Sequence, residues 1–481
     1  MTGMSGGGRG AGPMVVAAVR AVVRPGPVRR TVVVSTLTLL AALILAWDAP
    51  PDLDWRGQRT LAIFVVALGL WVSKALPLMV TSMLAMILFP IFGVAPAREV
   101  FSRFGHPAVF FILGTFILSA GLGETGLARR LALRLIRATG HSGRALVSGI
   151  FCFGLVASCI VSEHAVAALQ LPILQELARV LRRERAEERL LHAMFLAMAW
   201  GCVIGGITTF LGGARAPVAV GILDEGWGET LAFWEYTAYA LPVMLPMAAV
   251  ALLLVRRCAR DTDADLVTVR DLLSTEIGRM GPLSPREIGM GALLAVTVVL
   301  WMATGPEWLA VIALAATSVG FLCELISWPR VHEHVDWGLI LMYGGAVVVG
   351  GMVLDTGLAA WAGRALLGVL EGLGATWLFT AFLSAVVLGL TEACSNTAVL
   401  AATLPVAIPL GVELAVPATM VTILVTLASG LAFCLPMATP AVALALASGY
   451  LRPWDTIRWG LPLKLLALVV LVAVEALVWP R

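Results

Sequence analysis

The chain predicts an all-α polytopic membrane protein made of two inverted repeats, with about 11 transmembrane helices and two re-entrant helical hairpins. Three observations predict it. Over 481 residues the mean hydropathy is +0.94, with 60% hydrophobic and only 13% charged residues, a balance no soluble globular chain of this length needs. Two apolar segments, 146–178 and 375–413, are too long for one span of roughly 20 residues and marginal for two. A polar triplet and a proline break each of them: Ser162-Glu163-His164 with Pro172, and Ser395-Asn396-Thr397 with Pro405. Third, the halves repeat. Glu124 to Ala128 matches Asp355 to Ala359, and Ser162 to Pro172 matches Ser395 to Pro405, both at offsets of about 230 residues.

The elements follow in order. Residues 1–13 are Gly-rich and expected to be disordered, within a cytoplasmic N-terminal segment 1–30. Arg20, Arg24, Arg29 and Arg30 lead into a full-length span at 31–47 with no clear small-residue cleavage site, which argues against a signal peptide. Spans at 60–77, 78–95, 107–125, 189–215 and 233–255, with the hairpin 146–178, complete a first unit over 31–255. The longest polar stretch, 256–286, reads as a cytoplasmic linker. A second unit, 287–481, holds spans at 287–303, 307–325, 337–355, 417–446 and 458–479 with the hairpin 375–413. Helix 127–138 sets Leu131, Leu135 and Ile136 beside arginines and reads as interfacial, as does 358–370 in the other half.

Charge fixes the orientation. Arginine clusters at 20–30, 129–144, 179–189 and 256–260 all fall in the cytoplasm when the N-terminus is inside, while acidic residues mark 48–54 and 224–229. The first hairpin then enters from the cytoplasm and the second from outside, so the repeat is inverted, and the C-terminus is outside. The expected location is a bacterial inner (plasma) membrane, crossed many times.

Polar atoms in lipid are costly unless they have partners or line a cavity. Two broken segments at corresponding places point to a secondary transporter with alternating access around a midplane site. A hairpin tip presents backbone N–H groups at the start of its outgoing helix, where Ser, Asn and Thr are natural caps and an anion is attracted. The same side chains and carbonyls offer the oxygens that a hard cation needs.

Other function classes find little support. A net charge of +3 carries no nucleic-acid signature. The seven cysteines have no paired spacing and read as free buried thiols. Only Lys74 and Lys464 among the 33 basic residues are lysines, which reads as codon bias. His332-Glu333-His334 lies in a short loop without further ligands for a metal. No His-Glu-x-x-His pattern occurs. Glu392, beside Thr391, is expected to support its hairpin.

From about residue 55 onward the chain resembles the divalent anion:sodium symporter family, carriers of dicarboxylates, citrate or sulfate. Four stretches carry the resemblance: Ser395-Asn396-Thr397 with Leu404-Pro405; Ala432 to Pro440, similar to a broken tenth span; Phe111 to Ala120 with Thr125 to Ala128; and Gly205-Gly206 through Gly212, similar to a broken fifth. The resemblance implies a homodimer whose protomers each join a scaffold domain to a transport domain that moves as an elevator. It implies a small anionic substrate held by Ser395, Asn396, Thr397, Thr439 and Pro440, with Ser162, Glu163, His164, Gly213 and Arg215 on the first half's side. It implies Na+ as the coupling ion and no organic cofactor. One sodium would be held by Thr391, Cys394, Asn396 and Ala438, the Cys and Ala through backbone carbonyls; another by Ser158, Ser162, Glu163 and Gly212.

The first half departs from that pattern. Glu163-His164 stands where the family has Asn-Thr, and Gly212-Gly213-Ala214-Arg215-Ala216-Pro217 replaces a Pro-Pro-Asn stretch; Pro440-Ala441-Val442 also lacks an Asn. An ionised Glu163 beside a dianion would repel it. Arg215 can neutralise it as an ion pair, burial can keep it protonated, or it can coordinate a cation; His164 adds a group that titrates near neutral pH. The expected function is an elevator-type carrier of small divalent anions with reduced or altered sodium coupling. The alternatives are a sodium-independent exchanger, a proton-coupled carrier, or a membrane enzyme using Glu163 and His164 as acid and base.

Overall fold

A computed structural model describes residues 27–47, 52–183, 188–259, 266–362, 364 and 376–479. Residues 1–13 and most of 358–370 lie outside them. The described elements are helical throughout. Eight stretches are long and apolar enough to cross a membrane, and five shorter apolar helices accompany them.

The first unit opens with α1 (Pro27–Ala46), α2 (Trp55–Ser73) and α3 (Leu78–Ile91). A short α4 (Ala97–Phe104) leads into α5 (Pro107–Thr125) and the amphipathic α6 (Leu127–Thr139). The hairpin is α7 (Gly143–Ser158) and α8 (Glu163–Arg183), parted only by residues 159–162. Next come α9 (Glu188–Gly206), α10 (Arg215–Trp227) and α11 (Phe233–Cys258). The expected single span 189–215 is therefore two helices with an irregular turn between. Gly205-Gly206 and Gly212-Gly213 supply little helix propensity there, and side chains rather than the helix ladder take up the freed carbonyls, as described below.

The stretch 256–286 is not a bare linker: it contains α12 (Val267–Arg279). The second unit repeats the order with α13 (Pro285–Ala303), α14 (Leu309–Leu322), α15 (Trp328–His334) and α16 (Trp337–Asp355). Its hairpin is α17 (Thr376–Ala393) and α18 (Asn396–Glu413). A second broken pair follows, α19 (Ala418–Gly430) and α20 (Pro440–Ala447), before α21 (Pro453–Leu477). The expected span 417–446 is thus also two helices.

The backbone repeats in detail. Gly93 and Glu324 both turn left-handed after their helices, with φ of 69° and 54°. In both turns the next residue's amide donates 2.9 Å back to a carbonyl five residues earlier, Val94 to Phe89 and Leu325 to Gly320. Gly126 and Gly357 end α5 and α16 at φ of 82° and 68°. At Glu324 a side chain tolerates a conformation that glycine adopts freely in the other copy.

Small residues let the first hairpin and first broken pair pack closely. A Cβ on Gly201 would lie 2.5 Å from the Phe151 carbonyl oxygen, and one on Gly205 would lie 2.1 Å from that of Leu155. This is the small-xxx-small contact by which membrane helices approach each other. On α6 the arginines are not all at the surface. Arg130 turns inward, 2% exposed, and donates to both Glu287 oxygens at 2.7 and 3.0 Å and to the carbonyls of Met280, Gly281 and Pro282. Through this pair the helix read as interfacial is also locked to α13.

Candidate functional site

Each helix break frees backbone groups that must find partners within the protein. In the first break, Tyr236 donates from its hydroxyl to the Ile207 carbonyl at 2.9 Å. Thr209 donates to the Cys159 carbonyl of the hairpin tip at 2.6 Å, and the Glu163 amide donates to the Gly212 carbonyl at 2.9 Å. Hairpin and break are thus stitched together in both directions.

Arg215, the first residue of α10, reaches back into this knot. Its Nη1 lies 2.9 Å from Glu163 Oε1 and its Nη2 3.2 Å from Oε2, a bidentate pair. Nη2 also donates to the Gly206 carbonyl at 3.3 Å. Glu163 is 0% and Arg215 4% exposed, so neither charge is relieved by solvent. The Gly206 position accepts no side chain, since a Cβ there would lie 2.3 Å from Glu163 Oε2. His164 Nδ1 stands 3.8 Å from Glu163 Oε1 with its side chain partly exposed. Ser162 caps α8, accepting from the Ala165 amide at 3.4 Å. Ser158 Oγ is buried without a hydrogen-bond partner. Gly212 is cradled by oxygens: a Cβ on it would meet the Ser158 and Gly206 carbonyls at 2.5 and 2.6 Å.

The second tip is built differently. Ser395 precedes α18 but makes no side-chain capping bond. The expected cap is absent, which leaves the helix's first N–H groups open. Asn396 turns back instead: its Oδ1 lies 2.6 Å from Thr391 Oγ1, which is also 2.7 Å from the Ser429 carbonyl. Its Nδ2 is buried without a partner. Rotating the carboxamide by half a turn satisfies Nδ2 and leaves Oδ1 alone instead. Either way one polar atom of Asn396 is offered to a ligand, a donor for an anion or an oxygen for a cation. Thr397 is buried and faces the Tyr343 hydroxyl on α16. Thr439 caps α20, accepting from the Val442 amide at 3.3 Å, and the following Pro440 is exposed.

The two tips are linked. The Arg215 guanidinium lies against Gly430, where a Cβ would be 3.2 Å from Nε and 3.3 Å from Nη2. The next residue back, Ser429, supplies the carbonyl that Thr391 touches. A chain of contacts therefore runs from Glu163 through Arg215, Gly430, Ser429 and Thr391 to Asn396. Gly213 also borders the guanidinium, with Nη2 3.2 Å from its Cβ position. Cys394 and Ala438 are buried, the first in the second tip and the second in the second break.

The residues holding the second break open were not singled out as such from sequence. Glu392 accepts from the amides of Phe433, Cys434 and Leu435 at 2.9 to 3.3 Å. Lys464 Nζ donates to Glu392 at 2.9 Å and to the Leu431 carbonyl at 3.0 Å. Lys74 Nζ donates to the Met437 carbonyl at 3.0 Å, and Trp200 Nε1 to that of Phe433 at 3.3 Å. A readable signal was present: the chain's two lysines both serve this break. Both act through a compact ammonium with rotatable donors, able to turn to an isolated carbonyl.

Comparisons with known proteins agree with this architecture. The family model described as the sodium:sulfate symporter transmembrane region matches residues 29–481. A sodium-dependent dicarboxylate transporter SdcS of Staphylococcus saprophyticus is 26% identical over 464 residues, covering 91% of this chain and 89% of that protein. The SdcS of Staphylococcus aureus is 24% identical over 469 residues, covering 92% and 90%. In structure the chain is similar to the Neisseria gonorrhoeae MtrF efflux pump, with a TM-score of 0.60 and 14% identity over 96% of this chain and 97% of that one. The Alcanivorax borkumensis YdaH transporter gives 0.53 and 14% over 78% and 86%. At that identity the two structures speak to the fold alone. The family and these relatives are transporters, so the reading of Glu163 and His164 as an enzyme's acid–base pair falls. The chain belongs to the sodium:sulfate symporter family, within the divalent anion:sodium symporters that its hairpin motifs resemble.

Proposed function

We propose that the protein is a secondary active transporter that moves small divalent anions across a bacterial inner membrane, with the N-terminus cytoplasmic and the C-terminus outside. The observation that carries this reading is Asn396. A buried carboxamide, anchored by one atom and unpartnered at the other, stands at the uncapped N-terminus of α18. An unpaired buried polar group is costly, and an anion held by it and by the free helix amides removes that cost. Ser395, Thr397 and Thr439 complete the second half's side. The dicarboxylate named for the SdcS relatives is the preferred substrate class, with citrate and sulfate as competitors to test.

Sodium fits the second half-site as a co-transported ion. Thr391 Oγ1 lies within hydrogen-bond distance of two acceptor oxygens but owns one proton. That surplus of oxygen over hydrogen suits a hard cation, and the Cys394 and Ala438 carbonyls are the further ligands. Alternating access is read from the duplicated hairpins and broken pairs, entering from opposite faces. The hairpins move as a transport domain against a scaffold within a homodimer in lipid, and the coupling needs less sodium than a carrier with two intact tips.

The test is uptake into proteoliposomes, with sodium and pH gradients imposed separately. An inward sodium gradient is expected to drive labelled succinate uptake, and unlabelled succinate inside to exchange with it. A purified, folded protein that moves none of succinate, citrate or sulfate under any gradient would overturn the reading.

A further inference from the structure

The first half-site does not fit a sodium ion. Of the candidate ligands Ser158, Ser162, Glu163 and Gly212, the only charged one is already bound: both Glu163 oxygens are taken by Arg215. The Gly206 carbonyl, which with that of Ser158 closes around Gly212, also accepts from the same guanidinium. A sodium ion placed among these oxygens would sit beside a permanent positive charge in a site sealed from water, where repulsion is least screened.

We infer that Arg215 is a tethered cation, fixed in the chain where a first coupling ion would otherwise bind, and that Glu163 is its built-in counter-charge. This rests on the anion-carrier reading above and adds to it what occupies the ion position on the first half's side. The design is self-consistent in three ways. The cation comes from α10, whose first turn immediately follows the break, so the guanidinium need only fold back over Gly212 and Gly213. Gly206, Gly213 and Gly430 border it, and a side chain at Gly206 or Gly430 would crowd the pair. The surrounding groups cannot replace it. The other polar or charged groups around the pair are His164 on α8, Cys202 on α9, Tyr236 on α11 and Tyr343 on α16, with Asp336, just before α16, acting on His164 and Tyr343; none is a permanent cation. A tethered cation never leaves with the substrate. It stays in place in every cycle and draws nothing from the sodium gradient.

The substitutions separate this from a merely structural ion pair. Arg215→Ala strips Glu163 of its partner, and the buried carboxylate then takes up a sodium ion. Glu163→Gln frees the guanidinium, which continues to exclude sodium. The double variant Glu163→Asn with Arg215→Ala removes both charges together, avoiding a lone buried charge. It leaves the Ser158 hydroxyl, the Ser158 and Gly206 carbonyls and an Asn oxygen as a neutral sodium cage.

The experiment counts radiolabelled sodium bound per protomer of purified protein without anion, alongside the sodium dependence of succinate uptake. Arg215→Ala and the double variant are each expected to bind about one sodium ion more than the wild type, and Glu163→Gln no more. Two sodium ions already bound by the wild type, or an equal count in wild type and a folded double variant, would overturn the inference. A wild type that binds none beside a double variant that binds one would uphold it and remove only the sodium assigned to the second half-site. A wild type that transports no anion, with the sodium counts as expected, would overturn the carrier reading and leave the tethered cation standing.

Discussion

Replacing Glu392 by Gln tests whether the second break is held open by one carboxylate. In the wild type that group receives three consecutive backbone amides and the Lys464 ammonium, with side chains only 14% and 10% exposed. Glutamine keeps the shape but turns one acceptor oxygen into a donor. Either Leu435 or Phe433 then faces an amide proton, and an unsatisfied buried donor costs about 1–3 kcal/mol. Lys464 also loses its counter-charge, and breaking a buried pair on one side costs about 3–5 kcal/mol. The two penalties share one group and do not add, so the expected loss is about 3–5 kcal/mol in total. Unfolding of the detergent-solubilised protein measures the stability, and titration calorimetry measures anion affinity. Because the break carries Ala438 and leads into Thr439, affinity is expected to fall as well. Glu287→Gln is the control. It breaks the buried Arg130 pair at a similar cost, but that pair belongs to α6 and α13 and should leave affinity alone. A Glu392→Gln protein within about 1 kcal/mol of wild type and with unchanged affinity would refute the reasoning.

Three further outcomes are expected. Asn396→Ala and Thr397→Ala should each weaken succinate binding by at least about tenfold while the protein still folds, the size of a lost hydrogen bond to a charged group; calorimetry on the monodisperse variants decides this. Gly205→Val should abolish close packing of α7 on α9, because even a Cβ there would lie 2.1 Å from the Leu155 oxygen; loss of monodisperse protein on size-exclusion chromatography is the expected readout. Lys74→Met should cost little, about 0.5–1.5 kcal/mol, because its bond to Met437 is exposed and unpaired with a carboxylate; a loss as large as that of Glu392→Gln would show that the two lysines are not distinct in role.

How much of this was legible in sequence follows from physics. Hydropathy located the helices because lipid demands continuous apolar runs, and the duplicated triplets located both hairpin tips to within a few residues. The pairing of Arg215 with Glu163 was open to inference because two opposite charges in apolar surroundings must find each other. The broken pairs were harder. Residues 189–215 and 417–446 remain apolar through their breaks, so hydropathy alone reads each as one span. Only the glycines and prolines, weighed against a known pattern, pointed to the interruptions. Glu392 and Lys464 are 72 residues apart, and no local spacing connects them. Ser395 looked like a cap, yet Asn396 bonding back to Thr391 displaced that arrangement, a choice made by tertiary contacts.

The helix α10 has a consequence for how the two ends of the protein communicate. Arg215 stands at its first residue. Near its last turn Glu225 receives Arg103 at 2.7 Å, and Asp224 lies 3.2 Å from His106 Nε2. Arg103 also pairs with Asp355, lying across α16 where Gly351 leaves room. The span between these ends is about 15–18 Å of continuous helix, too stiff to absorb a shift at one end. Thermodynamic linkage then applies in both directions. On the proposed reading, an anion that loads Arg215 couples to the Arg103 cluster, and the coupling is the same in both directions. Ionic strength, which screens the outer pairs and leaves the sealed inner one untouched, becomes a dial on affinity. An Arg103→Ala protein, already uncoupled at the far end, would no longer answer to it.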